Sequence, residues 1–201
     1  MTPTHSPTSP RKTVVKAGGD SWFFITADYA FGHQLQRDAT AVIEANGGKV
    51  LGGVNVPLNT ADFSSYLLQA QNSKAEIIAL ANAGGDATNS IKQAHEFGLT
   101  VGGQKLAPLL LIISDVNALG LEVAQGLIIT STFYWDLNDG TREFSRRFSE
   151  RVKGHPMPTR VQAATYASLM QYFKTIDMEI QMVDHHRHVG GVVVHVVAVG
   201  P

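Results

Sequence analysis

The chain has 201 residues, 44% of them hydrophobic and 16% charged, and a formal net charge of −1. This is the make-up of a folded domain, and the mixed charges leave no basic stripe for nucleic acid or anionic lipid. The absence of cysteine excludes disulfides and thiolate chemistry, and no apolar run reaches the roughly eighteen residues of a membrane-spanning helix.

Met1 to Arg11 is rich in Pro, Ser and Thr, and residues 1–15 read as a disordered lead-in. They contain neither an apolar core nor a cleavage pattern, so no secretory signal is expected there. A regular alternation begins at Lys16. "SWFFIT" (21–26) is a buried strand. "GHQLQRDATAVIEANGG" (32–48) follows as a helix, with Leu35, Ala39, Val42 and Ile43 at helical spacing and a Gly47-Gly48 stop. "KVLGGVNVPL" is a second strand. "DFSSYLLQAQNSK" is a helix for which Asp62 is a fitting N-cap.

The unit then repeats. "AEIIALA" is a strand, "NAGGD" a turn, and "ATNSIKQAHEFGL" a helix stopping at Gly98. "KLAPLLLIIS" is a fourth strand, "DVNALGLEVAQ" a short helix or loop, and "GLIITSTFYW" a fifth strand. "DGTREFSRRFSERVKG" is a helix with Asp139 or Thr141 near its cap. Strands alternating with helices over residues 16–155 predict an α/β lobe: an open parallel five-stranded sheet with helices on both faces. Residues 156–178 predict one more amphipathic helix. The tail, 179–201, changes character, with "DHHRH" and a Val-rich run. The H-H-x-H spacing fits no structural zinc pattern, so no metal is expected, and no motif calls for a cofactor.

In such a sheet, ligands sit beyond the carboxyl ends of the strands. Those ends carry "ADYAF", "NAGGD", "SDVN" and "TFYWD". They offer Tyr29, Phe31, Asn82, Ala83, Gly84, Asp115, Tyr134 and Trp135, together with open helix N-termini, to a small polar ligand with an apolar part. Each has a plainer use. Tyr29 and Phe31 can pack the strand–helix junction, Asn82 to Asp86 can be a tight turn with a cap at Asp86, and Asp115 can be a cap. The convergence of four such turns on one sheet edge is what favours a site. No GxSxG elbow, HExxH or cysteine nucleophile points to an enzyme.

The run "GGDSWFFITADYAFGHQLQRDATAVIEANGGKVLGGVNVPLNTADFSSYLLQAQNSKAEIIALANAGGD" resembles the periplasmic substrate-binding proteins of branched-chain amino acid ABC transporters, the type I, leucine-binding-protein-like group. The resemblance continues collinearly through "IKQAHEFGLT", "GGQKLAPLLLIISDVNALGLEVAQGLIITSTFYWDLNDGTREFSRRFSERV" and "MPTRVQAATYASLMQYFKTI", covering about 16–176.

It implies one lobe of a two-lobed protein that closes on its ligand, with a flavodoxin-like strand order. Residues 156–178 become the helix returning toward a first lobe. It places Phe31, with Tyr29 beside it, in the cleft wall. It matches Asn82 to Gly85 to the loop after the third strand, and sets Asp115 near a carboxylate that receives a ligand ammonium. The implied ligand is a branched-chain amino acid or a related organic acid or amide, and the implied partner is a membrane permease.

The family pattern continues beyond both ends of the match, so the chain reads as an incomplete member with atypical ends. Weak ligand binding and self-association through the exposed return helix are therefore expected. The resemblance implies a periplasmic protein, while the opening residues suit the cytoplasm. A stand-alone flavodoxin-like sensor is the alternative.

Overall fold

The computed structural model describes residues 19–154 and 156–188, and from residue 178 onward the backbone alone. The predicted lead-in and the tail beyond 188 lie outside the described residues. The chain divides into two compact units, with the boundary between Thr132 and Phe133.

The first unit is a parallel sheet, strand order β2-β1-β3-β4. Its strands are β1 (Ser21–Ala27), β2 (Lys49–Val56), β3 (Ile77–Ala81) and β4 (Lys105–Pro108). They alternate with α1 (Ala30–Ala45), α2 (Ser64–Asn72) and α3 (Gly84–Glu96), and α4 (Ile113–Leu119) and α5 (Leu121–Ala124) follow β4. β1 and β3 are central and buried on both faces, which is why they read as unbroken apolar runs.

Their alternating side chains build two cores. Phe23, Ile25, Ile78 and Leu80 face one side, where they join Phe63 and Leu67 near α2, Ile91 of α3, and Leu99. Trp22, Phe24, Ile77 and Ala79 face the other, against Ile43, Leu35 and Ala39 of α1. Two buried polar groups on β1 are satisfied. Thr26 Oγ1 donates to Gln36 Oε1 at 2.7 Å, and Trp22 Nε1 donates to the Gly19 carbonyl at 2.8 Å.

The sheet has four strands, not the predicted five. "GLIITSTFYW" forms no ladder; Ile128 N–H reaches the Leu106 carbonyl at 3.0 Å, and Leu127 to Thr130 are half-buried or exposed. β4 offers too little edge for a fifth strand, because it ends at Pro108 after four residues. Beyond it the predicted strand "KLAPLLLIIS" turns. Leu109 packs on one core and Leu111 on the other, and Ile113 already begins α4. An apolar run marks burial here, not pairing.

The second unit carries α6 (Asp139–Arg151) and α7 (Arg160–His188). The cap of α6 is Asn138, next to Asp139 and boxed with Thr141: its Oδ1 accepts from Thr141 N–H at 3.0 Å, while Thr141 Oγ1 accepts from Asn138 N–H. Phe144 packs against Phe133, Phe148 and Tyr166, with ring centroids 5.1 to 6.4 Å apart. α7 continues ten residues past the predicted Met178, through the backbone of "DHHRH". Tyr166, Leu169, Tyr172 and Phe173 on it are exposed.

Candidate functional site

β1 connects through α1 to β2 on one side, and β3 connects through α3 to β4 on the other. The strand order therefore reverses between the parallel neighbours β1 and β3, and the loops leaving them diverge to opposite faces of the sheet. Open α/β sheets bind ligands in a crevice outside the carboxyl ends of strands at such a point. Thr26 pairs with Ala81, so the segments starting at Ala27 and Asn82 leave the sheet side by side.

On the β1 side, Asp28 N–H donates to the Val56 carbonyl and Tyr29 N–H to the Ala27 carbonyl, both at 2.8 Å. These bonds turn the chain sharply into α1. Tyr29 is the N-cap residue, with extended backbone and no side-chain cap bond. Tyr29 and Phe31 each remain 38% exposed, their rings 5.7 Å apart and tilted by 35°. The junction is closed without burying them, so packing alone does not account for the pair.

Two features of this turn were not read from the sequence. His33 Nε2 lies 2.9 Å from Asp28 Oδ1 and clasps the loop to the first turn of α1. Gly32 passes so close to β1 that a Cβ there would lie 2.1 Å from the Ala27 carbonyl oxygen. The five-residue spacing of Asp28 and His33 was the available signal for the clasp.

On the β3 side, Asn82 is buried, and its Nδ2 donates to Ser90 Oγ at 3.2 Å and to the Asp86 carbonyl at 3.4 Å. Its Oδ1 has no partner. Ala83 caps α3 through its backbone alone, so no side chain covers the first N–H groups of the helix. Gly84 adopts φ +57°, a conformation that favours glycine. A Cβ at Gly84 or Gly85 would meet nothing within 4 Å, which leaves the helix start open. Asp86 is not the cap; it lies within the first turn and accepts from Asn59 N–H through Oδ2 at 3.1 Å.

Asp115 lies in the first turn of α4, the helix that follows β4, where its Oδ2 accepts from Ile112 N–H at 3.1 Å. It therefore serves as a cap with one oxygen, and it is half-buried. Tyr134 and Trp135 belong to the second unit, with ring centroids 5.7 Å apart. Apart from the crevice, an open groove of about 640 Å³ lies between α1 and β2 and is lined by Gln36, Arg37, Thr40 and Asn55. Among the described residues no group of three or more His, Asp or Glu is placed to hold a metal.

A family model described as periplasmic binding protein matches residues 4–178. The chain belongs to this family. Solved periplasmic binding proteins resemble it closely. One from Burkholderia mallei is 52% identical with a TM-score of 0.74, over 83% of this chain and 44% of its own. A branched-chain amino acid ABC transporter ligand-binding protein from Burkholderia xenovorans is 41% identical with a TM-score of 0.73, over 83% and 45%. A solute-binding protein from Rhodopseudomonas palustris, in complex with 4-hydroxybenzoate, is 27% identical with a TM-score of 0.51, over 55% and 31%. The chain thus spans less than half of each of these relatives, and what it matches is one lobe of a type I periplasmic binding protein. No curated protein matches it. The family is one of binding proteins and not a class of enzymes.

Proposed function

We propose that the chain is the ligand-binding lobe of a solute-binding protein serving an ABC transporter, and that the crevice between β1 and β3 forms one wall of its cleft. The observation that carries this reading is the half-exposed Tyr29–Phe31 pair after β1 and the open N-terminus of α3 after its neighbour β3, on either side of the point where strand order reverses. Rings at that position stack on an apolar or aromatic body, and free N–H groups receive a carboxylate. The ligand is accordingly a small carboxylic acid: a branched-chain amino acid or an aromatic acid of the hydroxybenzoate kind, the two chemistries named for the relatives. Asp115 retains a second carboxylate oxygen for a ligand ammonium. In a two-lobed protein, closure over the ligand would present the closed form to a permease in the periplasm. The family match favours this reading over a stand-alone regulatory module.

The test is an NMR titration of the chain with leucine, valine, benzoate and 4-hydroxybenzoate. One lobe supplies one wall, so binding should be weak, with shifts concentrated at Tyr29, Phe31 and Asn82 to Gly85. Shifts confined to the α1–β2 groove would sink the assignment.

A further inference from the structure

β2 is one of the two edge strands of the sheet and also the longest strand, with eight residues against seven, five and four in β1, β3 and β4. Among the described residues it pairs with β1 alone, so one row of its backbone N–H and C=O groups faces outward. Proteins usually blunt such an edge with charges, an internal proline, a bulge within the run or shortness, because it is a template for another strand. Here no charged residue occurs from Val50 to Ala61, and the nearest are Lys49 and Asp62. Pro57 comes only after the strand has ended.

The one irregularity falls at Leu51. Trp22 pairs with Val50 and Phe23 with Gly52, so Leu51 is the extra residue of a bulge. It is 52% exposed, and Leu58, just past the other end of the strand, is 49% exposed. Single exposed leucines are ordinary. Two of them bracketing an uncharged open edge are not, and between them Gly52 to Val56 run in regular register.

We propose that this edge pairs antiparallel with β2 of a second copy of the chain, about a twofold axis at Val54. In that register Val54 meets its own counterpart, Gly53 lies opposite Asn55, and Gly52 lies opposite Val56. At the ends of this ladder the bulged Leu51 of each copy comes near the Pro57–Leu58 turn of the other, so each exposed leucine gains an apolar neighbour. The nearest charges, Lys49 and Asp62, lie outside this five-residue ladder, so no like charges oppose within it, which is what a self-complementary strand requires. Val54 packs against the core that includes Phe23 and Ile25, so the joint continues that core from one copy into the next.

The chain has no cysteine, so a single Val54→Cys substitution places one thiol at the twofold position. Opposed Cα atoms in an antiparallel pair are roughly 4.5–5.5 Å apart, within the span of a disulfide. Mild oxidation of full-length V54C should give a covalent dimer well ahead of Gln69→Cys, which lies on exposed helix α2. In sedimentation velocity the unsubstituted chain should dimerise with rising concentration. Leu51→Glu should abolish the dimer while leaving the circular dichroism spectrum unchanged. The proposal is overturned if the chain stays monomeric throughout, or if V54C cross-links no faster than Q69C. It is also overturned if the dimer survives L51E but is dissolved by Phe173→Glu, which would place the contact on α7.

Discussion

Gly32 stands directly over the carbonyl of Ala27, leaving 2.1 Å between its Cβ position and that oxygen, and 3.0 Å to the carbonyl carbon. This is a contact of backbone with backbone, so no rotamer change relieves it. It shows why a glycine ends "DYAFG": α1 starts immediately above the end of β1, which sets where the Tyr29–Phe31 turn leaves the sheet. Gly32→Ala should force the first turn of α1 outward and cost about 2–3 kcal/mol, in the range of overpacked interiors. Gly85→Ala is the control, since its Cβ would enter open space at a helix start. That change should be neutral or stabilising by about 0.5 kcal/mol. Urea denaturation of both variants measures the difference, and equal midpoints would refute the close-approach argument.

Thr26 and Gln36 tie β1 to α1 through a 2.7 Å hydrogen bond, with Thr26 fully buried. Thr26→Val keeps the shape and strands the Gln36 acceptor at a partly buried site, at a cost of about 1–2 kcal/mol. Gln36→Leu alone leaves the Thr26 hydroxyl unpaired and should cost a similar amount. The double variant should recover part of the loss, because both unmatched groups are gone. A double-mutant cycle measures the coupling, and additive losses would show that the pair does not act as a unit.

How much of this was legible in the sequence differs by element. β1 and β3 announce themselves because strands buried on both faces need apolar residues at every position, and "SWFFIT" and "AEIIALA" supply them. The flavodoxin-like order holds for the four strands present. "GLIITSTFYW" misled for the same reason that "SWFFIT" did not. Apolar and β-branched content reports burial, but a ladder also needs a neighbouring edge, and β4 stops at Pro108. In the site, the turns after β1 and β3 were readable because topology brings strand ends together whatever their side chains. The Gly32 approach, the Asp28–His33 clasp and the unpaired Asn82 Oδ1 were not, since each depends on ångström-scale distances between segments.

Asp62 is not the N-cap of α2 that the sequence suggested, yet its bond to the helix start couples to pH. It precedes α2, whose N-cap residue is Phe63, and its Oδ1 accepts from Ser64 N–H at 2.8 Å. Hydrogen bonds from the Ser64 side chain and backbone hold its carboxyl below the usual carboxylate range. A depressed folded-state pKa means the bond's contribution is complete above the unfolded pKa and disappears as pH falls through the folded one. The thermal midpoint should therefore fall on acidification below the ordinary carboxylate range. Asp62→Asn, which still accepts from Ser64, should show a shallower fall. Differential scanning calorimetry along an acid series reads this, and identical slopes would remove Asp62 from the acid response.

Tyr29 and Phe31 separate binding from folding. Each is 38% exposed and they contact one another, whereas the core beneath rests on Phe24, Ile25 and Ile43. Tyr29→Ala and Phe31→Ala should therefore shift stability by less than about 1 kcal/mol, as surface changes do. Either should weaken an aromatic or branched-chain acid by roughly tenfold, because a stacked ring contributes about 0.5–1.5 kcal/mol beyond its buried area. Phe24→Ala behaves in the opposite way: its fully buried side chain leaves a cavity costing about 3–5 kcal/mol. Parallel urea melts and titrations on the three variants distinguish the roles. If Phe31→Ala instead unfolds the chain as readily as Phe24→Ala, the pair is structural and the cleft wall lies elsewhere.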